Sequence, residues 1–93
     1  MPLFAVTYRY DASQSEDREA NKPAHREWLS AQVEAGTIRS GGPFVDGAGA
    51  LLGVDAPGPE EARALIAGDP HCVRGMVSET TVREWMPVFG VLA

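Results

Sequence analysis

Apolar and polar side chains alternate over the first ten residues. Phe4, Val6, Tyr8 and Tyr10 fall on one side, and Leu3, Ala5, Thr7 and Arg9 on the other. A period of two with β-branched and aromatic content predicts a strand. Asp11 to Asn21 is polar and reads as loop, with at most one loose helical turn. Pro23 suits the first position of a helix, where its missing N–H would lack a partner anyway. Gly36 ends that helix. Within it His25, Trp28, Leu29, Gln32 and Val33 recur at i, i+3, i+4, i+7 and i+8, forming one face, while Arg26, Glu27, Ser30 and Glu34 lie mainly opposite. Thr37 to Phe44 reads as a second strand interrupted by Ser40-Gly41-Gly42-Pro43. Asp46-Gly47 signals a turn, and Ala48 to Asp55 supplies a third strand with Ala50, Leu52 and Val54 on one face. Pro59-Glu60-Glu61 opens a second helix with a proline and two acids, matching the helix dipole. Ala62, Leu65 and Ile66 are its buried stripe, and Gly68 stops it. Asp69-Pro70 begins a short turn through Val73, and Gly75 releases a last strand from Met76 to about Val88.

The order is β-α-β-β-α-β, the ferredoxin-like arrangement of the α+β class, with an antiparallel sheet and two helices on one face. The strands carry apolar residues on both sides, as in Leu3 and Ala5 against Phe4 and Val6. An uncovered apolar sheet face is unusual in a small monomer, so the pattern predicts a two-fold dimer joined through that face. The tail Trp85-Met86-Pro87-Val88-Phe89 is expected to pack on the partner or across its own sheet. At 93 residues the chain is expected to be a single domain over 1–93.

Composition removes several classes of partner. The net charge is −5 and the eight basic residues are scattered, so no phosphate-binding stripe exists and no nucleic-acid partner is expected. No apolar run approaches the roughly 20 residues of a membrane span. The opening residues read as a strand rather than a signal peptide, which makes cytoplasm the default location. The lone Cys72 excludes an intrachain disulfide and suits a reducing compartment.

Lys22-Pro23-Ala24-His25, then Gly36, Gly41-Gly42-Pro43, Glu60-Glu61-Ala62, Asp69-Pro70 and Gly75 occur in an order and spacing that resembles the YciI-like (YCII-related) family over nearly the whole chain. The resemblance implies a ferredoxin-like subunit of the dimeric α+β barrel superfamily. It also implies an active site on the family's His and Asp, which map onto His25 and Asp69. That superfamily includes isomerases and lyases acting on small, often aromatic-derived, acids. One position departs: the family commonly has Arg before the Pro-Ala-His run, and Lys22 keeps the charge without the planar fork that binds a carboxylate through two bonds.

His25 shares a face with Trp28 and Leu29, so it points to the core or a cleft. An ordinary imidazole exchanges protons near its pKa of about 6.5, and a place in the first helical turn would favour its neutral form. The competing reading is a structural histidine bonded to a backbone carbonyl. Asp69 reads as an N-cap, worth ~1 kcal/mol. It also reads as the carboxylate that orients His25, one oxygen capping while the other meets the imidazole. Ser40-Gly41-Gly42-Pro43 forms either an anion-binding nest or, more simply, a bulge that bends the strand. Arg39 is a substrate-carboxylate partner or a solvated strand charge. His71-Cys72 lacks a second Cys or a His at a ligating interval, so no metal site is expected. Cys72 beside His71 and Arg74 is a minor nucleophile or redox-sensor candidate. Trp28 and Trp85 read as core or interface aromatics.

These residues support a lyase- or isomerase-type small-molecule enzyme working without a cofactor. His25 is its general acid/base and Asp69 orients it. Lys22 and Arg39 hold a substrate carboxylate or enolate, and the Ser40-Gly41-Gly42 backbone steadies negative charge. The alternative is a non-catalytic dimeric module binding a small ligand or a protein, supported by the apolar tail.

Overall fold

A computed structural model describes residues 1–93. The strands β1 (Leu3–Arg9), β2 (Ile38–Pro43), β3 (Gly49–Asp55) and β4 (Glu79–Trp85) alternate with the helices α1 (Ser15–Ala35), α2 (Pro59–Ile66) and the short α3 (Pro70–Val73). The strands form one antiparallel sheet in the order β2-β3-β1-β4. This is the ferredoxin-like α+β order, with α3 inserted before the last strand. The central β1 pairs along its full length with both β3 and β4, setting Phe4 opposite Val54 and Glu84, and Val6 opposite Leu52 and Val82.

Because side chains alternate along each strand, that register sorts residues onto two faces. Phe4, Val6, Tyr8, Ala50, Leu52 and Val54 are buried together with Ile38 and, from α2, Ala62 and Ile66. Trp28 and Leu29 of α1 pack against this core. Ala5, Thr7 and Arg9 lie on the other face, as do Leu51, Arg83 and Trp85. Leu51 and Trp85 are each more than two-fifths exposed, and Met86, Val88, Phe89 and Val91 beyond the sheet are more exposed still.

Three sequence expectations change. The segment read as loop from Asp11 is helical from Ser15, preceded by a 3-10 turn at Ala12–Gln14. The Asp11 carboxylate accepts the Ser13 N–H at 2.9 Å, and Glu16 and Asp17 supply acids to the first turn. Pro23 therefore lies inside α1 rather than at its start. It forfeits one backbone bond, but its ring is on the exposed side, and the capped turn and packed face outweigh that loss. Val33, expected on the inward face, is half exposed, so the stripe ends at Gln32. The last strand is shorter than expected, since Met76 is buried ahead of it and the chain leaves the sheet after Trp85. Gly36 ends α1 in the left-handed region at φ 81°, and a register shift between Ile38 and Ser40 puts a bulge in β2.

Gly49, at the start of β3, faces Arg9 across the ladder, and a Cβ there would be driven into the Tyr8 carbonyl oxygen. Backbone held in a central strand cannot rotate away as a side chain would. Gly49→Ala is expected to lower stability by about 1–3 kcal/mol, measured by urea unfolding; an unchanged midpoint would show that β1 yields freely at Tyr8.

Candidate active site

The short helix α3 starts at Asp69, whose side chain caps it. Asp69 is fully buried. Its Oδ1 accepts the His71 backbone N–H at 2.9 Å and lies 2.7 Å from His25 Nδ1, and its Oδ2 accepts the Tyr8 hydroxyl at 2.7 Å. Capping and imidazole contact thus fall on one oxygen, rather than being divided between two as expected. The second oxygen is taken by a tyrosine of β1. Burial alone would raise the Asp69 carboxyl, but the bonds from His25, Tyr8 and the His71 backbone outweigh it and hold the group below its ordinary range. The Tyr8 hydroxyl is pushed far up by burial and by the carboxylate it serves.

His25 sits midway along α1, not in its first turn, so the helix dipole has little hold on it. Asp69 orients it instead. A carboxylate can only accept, so the His25 proton belongs on Nδ1 and the Nε2 lone pair points elsewhere.

A second imidazole lies against the first. The rings of His25 and His71 stack with centroids 3.9 Å apart and planes 7° from parallel. His71 is buried, and Asn21 Nδ2 approaches its Nδ1 at 3.0 Å. Burial, with neighbouring His25, lowers His71 to about 4. Tyr10 meets the His71 ring edge-on at 6.1 Å, burial pushes its hydroxyl up to about 12, and the Arg18 guanidinium lies 4.4 Å from the Tyr10 ring centre. Tyr8 and Asn21 were not among the residues singled out for chemistry, and His71 was weighed only as a metal ligand and as a neighbour of Cys72. Asn21 stands one turn before His25 on the same helix stripe, and Tyr8 carries a polar tip on an inward strand position; those were the available signals.

His25, Asp69 and His71 bring one ligand-type atom each to within 4.8 Å of one another, a proximity the chain spacing did not suggest. The arrangement suits a metal poorly. Imidazole lone pairs lie in the ring plane, so near-parallel stacked rings aim side by side instead of at a common centre. Asp69 is already committed to three donors. Cys72 packs against the core, and burial raises its thiol, which disfavours the reactive thiolate.

His25 and His71 both line a cleft of about 410 Å³. Arg18, Lys22 and Arg26 of α1 border it with Glu19, and Gly41, Gly42 and Pro43 of β2 form another part of its wall. Lys22 Nζ lies 3.2 Å from Glu19. Two of the expected substrate-binding residues lie elsewhere. Arg39 does not line the cleft and pairs with Asp55 at 3.4 Å, and Ser40 lines a larger hollow of about 680 Å³ beside Leu51 and Trp85. The bulge explains this: Arg39 is its extra residue, so Ser40 falls opposite Gly53 on the outer face while Gly41 falls opposite Leu52 on the core face. The larger hollow has no imidazole or buried carboxylate, whereas both imidazoles line the smaller one.

Among solved structures, the chain is similar to 5-chloro-2-hydroxyhydroquinone dehydrochlorinase from Burkholderia phenoliruptrix AC1100, determined in complex with 2,5-dihydroxybenzoquinone. The TM-score is 0.78 at 24% sequence identity, covering 90% of this chain and 93% of that one. No curated protein matches the chain significantly in sequence. The model of the YCII-related domain matches residues 2–86. With that match spanning nearly the whole ferredoxin-like unit, the chain belongs to the YCII-related domain family.

Proposed function

We propose that this chain is a small-molecule enzyme of lyase or isomerase type, with His25 as general acid/base and Asp69 as the group that orients it. One observation carries the reading: an imidazole bonded at Nδ1 to a sealed carboxylate keeps its other nitrogen for a cleft large enough for a single ring. In the forward step His25 Nε2 takes a proton from a substrate C–H, and the freed electron pair forms a double bond to the neighbouring carbon, whose leaving group departs with its bonding pair. From an enol O–H the freed pair forms C=O, the adjacent C=C shifts along by one bond, and the leaving group departs from the carbon that this shift reaches. Returning the proton to a different carbon instead completes an isomerisation. Asp69 stabilises the imidazolium that forms between the two transfers. Lys22, with the Gly41-Gly42 backbone opposite, faces the oxygen on which negative charge develops. The dehydrochlorinase activity of the structural neighbour, and the hydroxyquinone bound to it, support an oxygen-rich ring as substrate class.

We propose further that two copies pair through the open sheet face. Support comes from Leu51, Trp85 and Phe44, each more than two-fifths exposed, and from the apolar tail beside them. Burying such a patch is the usual way a small domain removes it from water.

His25→Ala and Asp69→Asn are each expected to lower turnover by ~100-fold or more, measured as chloride release from a chlorinated hydroxyhydroquinone; unchanged turnover in both would end the acid/base reading. A pH effect on stability follows from His71. Its folded pKa lies below its unfolded one, so between about 6.5 and about 4 the unfolded chain binds a proton that the folded chain refuses. Stability present above that window is lost as pH falls through it, by about 3 kcal/mol for a shift of this size. Urea unfolding at about pH 7 and about pH 4.5 should show the loss in the native chain and a much smaller one in His71→Phe. Equal losses would remove His71 as the cause. Light scattering should give twice the chain mass for the native protein and a single mass for the double variant Leu51→Glu, Trp85→Glu; a native monomer would reject the pairing.

A further inference from the structure

We propose that His71 is a second substrate-touching group, a fixed hydrogen-bond donor that acts with His25 to select rings carrying two oxygens on adjacent carbons. We assign Asn21 as the positioning residue that fixes the His71 tautomer. This rests on the acid/base reading of the same cleft and adds a partner and a selectivity to it.

The argument begins with Asn21. Its Nδ2 has only protons to offer, and it lies 3.0 Å from His71 Nδ1. That nitrogen must present its lone pair, so the His71 proton resides on Nε2. His25 has the opposite assignment, because Asp69 accepts from its Nδ1 at 2.7 Å and leaves Nε2 as the acceptor. Both residues line the one cleft. Neither Nε2 bonds within the protein, yet no side-chain nitrogen or oxygen is both sealed from solvent and unpartnered. Each Nε2 therefore reaches solvent, and the cleft is the space that both residues line. Two stacked imidazoles with centroids 3.9 Å apart thus offer opposite polarity to the cleft they share, an acceptor from His25 and a donor from His71. Burial keeps His71 neutral at ordinary pH, so it retains this single donor and does not compete for the proton that His25 moves.

A ligand that satisfies both nitrogens needs an O–H for His25 and an oxygen acceptor for His71. Oxygens on adjacent ring carbons are close enough to bridge the pair. Oxygens on opposite ring carbons diverge and leave one nitrogen unmatched, and an unmatched polar group in a largely buried site loses its bond without compensation.

Catechol, resorcinol and hydroquinone share size and composition and differ only in oxygen placement, so they serve as probes. With ¹⁵N-labelled protein, imidazole shifts should show His71 protonated at Nε2 and unprotonated at Nδ1. Titration should rank catechol above hydroquinone by about tenfold, the scale of one hydrogen bond. His71→Phe keeps an aromatic ring against His25 but removes the donor, and should bring the isomers together. His71→Gln restores an N–H and should recover part of the preference. Asn21→Leu should mix the His71 tautomers and weaken the preference. A His71 proton on Nδ1, equal affinities in the native chain, no detectable binding of any isomer, or an intact preference in His71→Phe would each overturn the assignment. These readouts need no turnover, so they are separate from failure of the catalytic reading, which would appear as full activity in His25→Ala.

Discussion

A carboxylate sealed from water must find its hydrogen bonds inside the protein, and Asp69 finds three. They come from β1 through Tyr8, from α1 through His25 and from the first turn of α3 through the His71 backbone. An unmatched buried charge would cost several kcal/mol, so these three elements are held to one geometry by a shared requirement. Apolar packing between helices and sheet tolerates small slides; a carboxylate with three short bonds does not. The core around Phe4, Val6 and Leu52 supplies the bulk of the burial, and Asp69 supplies the registration.

The proposed chemistry follows from the same constraint. Once Asp69 accepts at His25 Nδ1, the tautomer is chosen and Nε2 is left with a lone pair. Stacking brings His71 alongside, and Asn21 gives that ring the opposite polarity. Two identical side-chain types thereby acquire different roles from their neighbours alone. The basic residues Arg18, Lys22 and Arg26 gather at this cleft although the chain as a whole carries −5, so local charge and net charge point in opposite directions.

The legible parts of the molecule were those governed by short-range periodicity. Alternation in Leu3–Arg9 and Gly49–Asp55, the prolines and acids opening α2, and Gly36 after α1 all report on backbone preferences within a few residues. The first half of α1 was not legible, for a reason of the same kind. Its inward stripe there is Arg18 and Lys22, which face the cleft, and Asn21, buried against His71, and apolar periodicity cannot register these polar residues. The pairing of His25 with Asp69 came from family resemblance, since no spacing rule links residues that far apart in sequence. Arg39 and Ser40 show the converse limit: the bulge between Ile38 and Ser40 resets which face each residue takes, and alternation counted along the chain does not locate it.

By itself the amino-acid sequence determined the α+β element order and the capped start of α3, because propensity, alternation and capping act between neighbours along the chain. Only the tertiary structure decided that Tyr8, His25 and the α3 turn share one carboxylate, and that His71 stacks on His25 with Asn21 behind it. Those contacts join residues from distant parts of the chain, and they exist only after the sheet register and helix packing have brought those residues within hydrogen-bonding distance.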